Sequence, residues 1–208
     1  MPDGLATALC VLAAFAAGAI PWGVLLTRWV AGVDVRSVGS GNVGATNVSR
    51  ALGRRWFFVV FALDAAKGAV PVLVAPRLLG AAASEWLGAA CGLAAVLGHV
   101  FSPFLRWKGG KGVATAAGVC GALAPLPALC AFGVFLLVLA LTRFVSLSSI
   151  CASAALPPLA FALGSPTPVV VFGVVVAAVV TLRHRANLGR IAAGTEPRAF
   201  AKKETAGG

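Results

Sequence analysis

"WFFVVFALDAAKGAVPVLVAPRLL", residues 56–79, decides the fold. Crossing a bilayer core of about 30 Å takes roughly 20 helical, mostly apolar residues. This stretch is long enough, follows directly on Arg54 and Arg55, and carries only three charges: Asp64 and Lys67 in its middle and Arg77 near its end. It reads as a transmembrane helix, and the rest of the chain reads the same way. Of 208 residues 60% are hydrophobic and 11% charged. A soluble domain of this size cannot hide so much apolar surface.

Working outward, the apolar spans are 5–30, 56–79, 84–101, 113–124, 127–142, 146–163 and 166–182. The region 113–182 is almost continuously apolar, broken by Pro125, Pro127, Arg143 and the cluster from Gly164 to Pro168. Segment 113–124 would give only about 18 Å of helix, so it is short, tilted or fused with its neighbour. The expectation is an all-α polytopic membrane protein, a single membrane domain over 1–208, with about seven transmembrane helices and five as the fallback. Residues 5–20 are not a signal peptide on this reading, because no Lys or Arg precedes them and the apolar run continues to Val30.

The net charge of +11 sorts by side. With the N-terminus outside, the inner loops hold Arg36, Arg50, Arg54, Arg55, Arg106, Lys108, Lys111, Arg143 and six more Lys/Arg beyond residue 182. The outer loops hold only Arg77. That asymmetry predicts N-out and C-in and accounts for much of the charge without nucleic acid. Segments 31–55, 102–112 and 183–208 then all lie on the inner face, as one polar surface. The five cysteines sit in apolar segments without CxxC or Cys/His spacing, so they read as small hydrophobes.

Each inner segment carries a motif. In "GSGNVGATNVSR", 39–50, Gly39 and Gly41 permit positive φ, and Asn42 is an expected N-cap of a short helix ending near Gly53. Gly41 and Asn42 thereby form a turn whose free N–H groups suit an anion. Thr46, Asn47 and Arg50 share an edge of that helix. In "GHVFSPFLRWKGGKGVAT", 98–115, His99 closes a helix, and Lys108, Gly109, Gly110 and Lys111 form a flexible, doubly basic loop whose backbone N–H groups and two ammonium groups suit phosphate or acyl-phosphate. In "RHRANLGRIAAGTE", 183–196, a helix that runs on would put His184 and Asn187 on one face, and Asn187 with Arg183 and Arg190. Inside the span, Asp64 and Lys67 can pair at i, i+3, Lys67 can snorkel toward the inner surface, and Arg28 is another possible partner for Asp64. For each feature a plainer reading stands beside the functional one: a solvated cap, a topology-setting basic loop, a positive-inside anchor, a structural ion pair.

Together "GSGNVGATNVSR", "GHVFSPFLRWKGGKGVATAAG" and "RHRANLGRIAAGTE" resemble the bacterial membrane acyl-phosphate:glycerol-3-phosphate acyltransferase family. The resemblance covers all three inner loops and the DxxKG element in order. It implies transfer of a fatty acyl group from acyl-phosphate to the first hydroxyl of glycerol 3-phosphate, at the cytosolic face of the bacterial inner membrane. Lysophosphatidic acid and phosphate would be the products, in phospholipid biosynthesis, and the enzyme that makes acyl-phosphate an expected partner. Neither cofactor nor metal is expected. The HxxxxD motif of soluble-type glycerolipid acyltransferases is absent, since five residues after His99 and His184 stand Phe104 and Gly189.

That chemistry assigns expected roles. Ser40, Thr46, Asn47 and Arg50 bind and polarise a phosphate or the carbonyl. Lys108 and Lys111 neutralise the departing phosphate. His184, steered by Asn187, orients or deprotonates the attacking hydroxyl, or a substrate phosphate oxygen takes that proton. Lys67, His99, Gly109, Gly110 and Arg190 complete the phosphate-binding set with Gly41 and Asn42, and Glu196 holds a cation or the glycerol hydroxyls. The rival class is a transporter of an organic phosphate anion, which explains the spans and the basic residues equally well but would place its polar site near the midplane.

Overall fold

The computed structural model describes residues 2–199 and is helical throughout its ordered elements. Its helices are α1 (Pro2–Ala19), α2 (Trp22–Ala31), α3 (Ala45–Leu52), α4 (Arg55–Leu79), α5 (Leu87–Val100), α6 (Val113–Leu123), α7 (Pro125–Thr142), α8 (Val145–Ala162), α9 (Thr167–Arg183) and α10 (Arg185–Ala192). Lys202 and Lys203, two of the basic residues that set the expected orientation, lie outside the described residues. Each apolar segment marked in the sequence carries a helix, the first of them in two pieces. By length and composition five stretches qualify to cross a membrane: Gly4–Ala31, Arg55–Ala82, Leu87–Leu105, Pro125–Thr142 and Val145–Ala162. The pair α9 and α10, bent by 54°, makes a sixth if taken as one span, and α6 is too short to qualify. The helix with Asp64 and Lys67 runs the full length expected of residues 56–79.

The first span is not the single helix expected over 5–30. It breaks between Ala19 and Trp22, because Pro21 has no N–H to continue the ladder and its ring excludes a helical carbonyl behind it. A break at membrane depth leaves carbonyls that lipid cannot satisfy. Two side chains satisfy them, one from α4 and one from the loop after α5. Ser102 Oγ donates to the Ala19 carbonyl at 2.6 Å, and Lys67 Nζ donates to that of Ile20 at 2.7 Å.

Close helix approach fixes the rest. α1 packs on α5, α4 on both α5 and α6, and α7, α8 and α9 on one another in turn. A Cβ on Gly18 would stand 2.1 Å from the Ala95 carbonyl oxygen, and one on Gly118 2.0 Å from that of Ala65. Only glycine allows those backbones so near. Buried Val72, Val96, Val119, Leu156, Phe172 and Val176 fill the space between α4, α5, α6, α8 and α9. Exposed Leu129, Phe132, Leu137 and Leu141 on α7 form a face suited to lipid. Cys91 and Cys120 are buried and Cys10, Cys130 and Cys151 half-buried, all as free thiols.

Candidate active site

The third motif does not run on as a straight helix. α9 ends at Arg183, the chain bends at His184, and α10 leaves in a new direction. The bend still keeps His184 and Asn187 on one buried side, as their spacing requires. His184 Nδ1 lies 2.7 Å from the Val180 carbonyl, which can only accept, so Nδ1 carries the proton. Nε2 is then the unprotonated nitrogen. Burial, and next the nearby Lys111 charge, push the His184 pKa down to about 4, so the ring is neutral near pH 7.

Lys111 from the second motif meets this bend. Its Nζ donates to Asn187 Oδ1 at 2.6 Å, and Asn187 Nδ2 donates to Glu196 Oε1 at 2.7 Å. The same carboxylate oxygen accepts from Ser146 Oγ at 2.7 Å, and Oε2 accepts from Arg190 Nε at 2.8 Å. Burial of Glu196 works against its charge, but the donors Asn187, Ser146 and Arg190 outweigh it and hold the pKa below the usual carboxylate value. Lys111 is drawn down to about 8. Burial contributes most; Glu196 opposes it, and the positive charges of Arg190, Arg183 and Arg50 add to it. The second and third motifs thus share one hydrogen-bonded network, set in a positive field that includes Arg50 of the first.

The first motif is built around Asn47 rather than around a helix cap at Asn42. Gly44 is the N-cap of α3, while Asn42 sits two residues upstream and its Oδ1 accepts from Gly44 N at 2.9 Å. Asn47 is buried on α3, with Nδ2 bonded to the carbonyls of Val35 and Val38 and Oδ1 accepting the Ser40 N–H. All of its amide capacity toward the loop is taken up by backbone, which makes it a holder of the turn. Gly39 and Gly41 have φ of 56° and 68°, as expected. The Arg50 stem lies against Gly39, so the guanidinium is carried beside the turn that presents exposed Ser40 and Gly41; Thr46 is half-buried on the same helix. Asp34 pairs with Arg28 at 2.8 Å and Arg36 at 2.6 Å. Arg28 is therefore not the partner of Asp64: it reaches outward to the loop after α2 instead.

The glycine loop differs from its expected form. It is held, not flexible, because Gly109 N donates to the Val100 carbonyl and Gly110 N to that of His99, both at 3.1 Å. Neither N–H is left for an anion. A Cβ on Gly109 would stand 2.0 Å from the His99 carbonyl, and one on Gly110 2.1 Å from His99 Nε2. The glycines are present so that the loop can lie on the end of α5. Lys108 is exposed at the loop's edge.

His99 and Lys67 are likewise placed inside rather than on the phosphate surface. Lys67 does not snorkel. Its Nζ lies 2.7 Å from Asp64 Oδ1 as well as bonding Ile20, and His99 Nδ1 is 3.7 Å from the same carboxylate oxygen. With Ser102 they line a cavity of about 10 Å³, no more than one water could use. This cluster supports the loop from below.

The structure therefore brings together Lys111, His184, Asn187, Arg190 and Glu196, places Arg50 within their electrostatic reach, and sets Ser40, Gly41, Asn42 and Thr46 in the neighbouring turn. It holds Asn47, Lys67, His99, Gly109 and Gly110 in supporting contacts. Sequence reasoning missed Ser146, whose only signal was a serine at the start of an apolar helix, and the bond from Ser102 to the Ala19 carbonyl. It also left unassigned Arg183, which bonds the glycine loop.

Comparison with known proteins gives one consistent answer. Residues 8–194 match a family model described as glycerol-3-phosphate acyltransferase. A glycerol-3-phosphate acyltransferase of Geotalea daltonii is 47% identical over 186 residues, covering 89% of this chain and 94% of the relative. One from Geobacter sulfurreducens is 48% identical over 185 residues, covering 89% and 93%. A crystal structure of PlsY (YgiH), an integral membrane glycerol 3-phosphate acyltransferase in its glycerol 3-phosphate form, matches with a TM-score of 0.86 and 43% identity, covering 92% of this chain and 94% of that one. Its lysophosphatidic acid form matches with a TM-score of 0.83 and 40% identity.

Proposed function

The chain belongs to the glycerol-3-phosphate acyltransferase family, and from that premise and the geometry of the site we propose how it acts. The protein is an integral membrane acyltransferase that acylates glycerol 3-phosphate in phospholipid biosynthesis. The donor is an acyl-phosphate, the acceptor atom is the first hydroxyl, and the products are lysophosphatidic acid and phosphate. The family leaves the transporter alternative without support.

The observation that carries the mechanism is the junction of Lys111, Asn187 and a neutral His184 with Nε2 unprotonated. An acyl-phosphate is a mixed anhydride, already activated. The acceptor hydroxyl oxygen attacks the acyl carbonyl carbon while His184 Nε2 takes its proton. As the new ester bond forms, the bond from the acyl carbon to the phosphate oxygen breaks, and its electron pair leaves with the phosphate. Lys111 and Arg50 stabilise that gathering negative charge. Asn187 holds the ammonium, and Glu196 holds Asn187. The remaining work is alignment of two bound substrates, for which no acyl-enzyme is needed.

The proposal extends to the setting. Residues 1–208 form a single membrane domain with the three motifs on the cytosolic face of the bacterial inner membrane, N-terminus outside and C-terminus inside. The chain crosses seven times, with α6 as a short crossing. The positive-inside asymmetry supports this orientation. The acyl-phosphate-forming enzyme is the expected supplier of the donor. Purified protein given labelled glycerol 3-phosphate with acyl-phosphate, acyl-CoA or acyl carrier protein tests the activity. Product from acyl-phosphate alone is expected, and product only from acyl-CoA refutes the donor. For the orientation, Ser37→Cys or Thr195→Cys on a cysteine-free background should resist an impermeant thiol reagent in intact cells; ready labelling would reverse it.

A further inference from the structure

Arg183 is the last residue of α9 and stands next to His184, and its guanidinium bonds the glycine loop. Nη2 donates to the Gly109 carbonyl at 2.9 Å and Nε to the Gly110 carbonyl at 3.2 Å. On the other side the same two residues give their N–H groups to the carbonyls of Val100 and His99. The loop backbone is therefore gripped along both edges, by the end of α5 and by the end of α9.

Lys111 is the next residue along the loop, and its ammonium bonds Asn187, four residues after Arg183. The α9–α10 bend and the loop are thus joined twice, once through backbone carbonyls and once through the ammonium. One contact sets where the Lys111 side chain ends; the other sets the backbone from which it starts. A planar guanidinium suits this task because it offers parallel N–H groups to two neighbouring carbonyls, which an ammonium cannot copy. Two of its five N–H groups are so engaged, in the plane that faces the loop.

We propose that Arg183 is a positioning residue for the acyl transfer: by clamping the Gly109 and Gly110 carbonyls to the α9–α10 bend, it fixes Lys111 at a set distance from His184, and it is not itself a phosphate ligand. This inference rests on the reading of Lys111 as the cation that meets the substrate's phosphate. A supporting group of this kind acts on turnover more than on affinity, because small displacements of a catalytic group cost rate steeply.

Steady-state kinetics of Arg183→Gln and Arg183→Lys, across pH, test it. Arg183→Gln should lower kcat by roughly 10- to 100-fold while KM for glycerol 3-phosphate and for acyl-phosphate changes less than about twofold. The alkaline limb of the profile should also move up, since a positive charge is removed from beside Lys111, whose other charged neighbours are Glu196, Arg190 and Arg50. The acid limb should rise too, because Arg183 adds to the Lys111 charge that depresses His184, against Glu196. Arg183→Lys keeps the charge but not the fork, so its limbs should stay in place while kcat falls. Thermal unfolding of each variant reports folding. If the Gln variant does not fold, the Lys variant decides: lower kcat with unmoved limbs supports the proposal, and wild-type kcat overturns it. A KM raised about tenfold at unchanged kcat would make Arg183 a phosphate ligand and overturn it as well. Lys111→Ala run in parallel separates the two levels. Full activity there removes the reading of Lys111, whereas an inactive Lys111→Ala with wild-type Arg183 variants removes only this inference.

Discussion

Nζ of Lys111 lies 2.6 Å from Oδ1 of Asn187, a contact that closes 76 residues of sequence and joins the glycine loop to the bend after α9. Asn187 in turn is held by Glu196, so the ammonium has one preferred position. A cation held in place before substrate arrives costs little reorganisation when phosphate charge develops against it.

Removing that cation should therefore be severe. A hydrogen bond to a charged group contributes about 1.5–3 kcal/mol, or roughly 10- to 150-fold. Lys111→Ala is expected to lose at least that much in kcat/KM while the protein still inserts and folds. Arg50→Lys keeps the charge but loses the bidentate fork, and about a tenfold loss is expected. Kinetics at subsaturating levels of each substrate measure both. Wild-type values would remove the residue concerned from the site.

The pH profile follows from two groups. His184 must be neutral to accept a proton, and with its pKa pushed down to about 4 it is lost as a base only below that pH. Lys111 must be charged, and with its pKa drawn down to about 8 it is lost as pH rises through that value. Apart from the substrate phosphate's own titration near about 6, kcat/KM should thus hold between the two and fall on either side. Lys111→Arg should carry the alkaline limb upward. An alkaline limb left near 8 in that variant would mean another group controls it.

His184→Ala should cut turnover strongly, whereas Ser40→Ala should cost a modest factor through lost hydrogen bonding, since Ser40 is exposed and its N–H serves Asn47. No acyl-enzyme should form. An acyl label that stays on denatured, delipidated protein, or parallel-line initial-rate kinetics, would show that one does.

Much of this was legible in sequence because each signal was local. Apolar runs placed the helices, Gly39 and Gly41 announced a turn with positive φ, and the i, i+3 spacing put His184 and Asn187 together across a bend it did not foresee. What was not legible depends on contacts between distant segments. Pro21 could have marked the break in the first span, but nothing near it says that Lys67 and Ser102 would satisfy the freed carbonyls. Gly109 and Gly110 looked like a flexible cradle because a sequence does not show His99 lying beneath them. Asn47 looked like a ligand because its backbone partners, Val35 and Val38, sit in an unremarkable stretch. The spacing within each motif did not show which side chains the fold takes up in its own contacts, as it does Asn47 and the glycine loop, and which it leaves facing outward, as it does Ser40 and Lys108.

The buried pair of Asp64 and Lys67 gives a stability test. Lys67→Met would leave the Asp64 carboxylate without its cation and the Ile20 carbonyl without a donor, at a cost of about 3–5 kcal/mol. Adding Asp64→Asn should recover part of that loss, because the stranded charge is removed. Denaturant unfolding of both variants in detergent measures it. No recovery in the double variant would place the whole effect on the Ile20 contact.

The most direct measurement is a structure of this protein with glycerol 3-phosphate bound. The account predicts the phosphate within hydrogen-bonding reach of Lys111 and Arg50, and the first hydroxyl about 2.6–3.2 Å from Nε2 of His184 or one water away. Glycerol 3-phosphate seated against Asp64 and Lys67, or with its first hydroxyl turned away from His184, would contradict it.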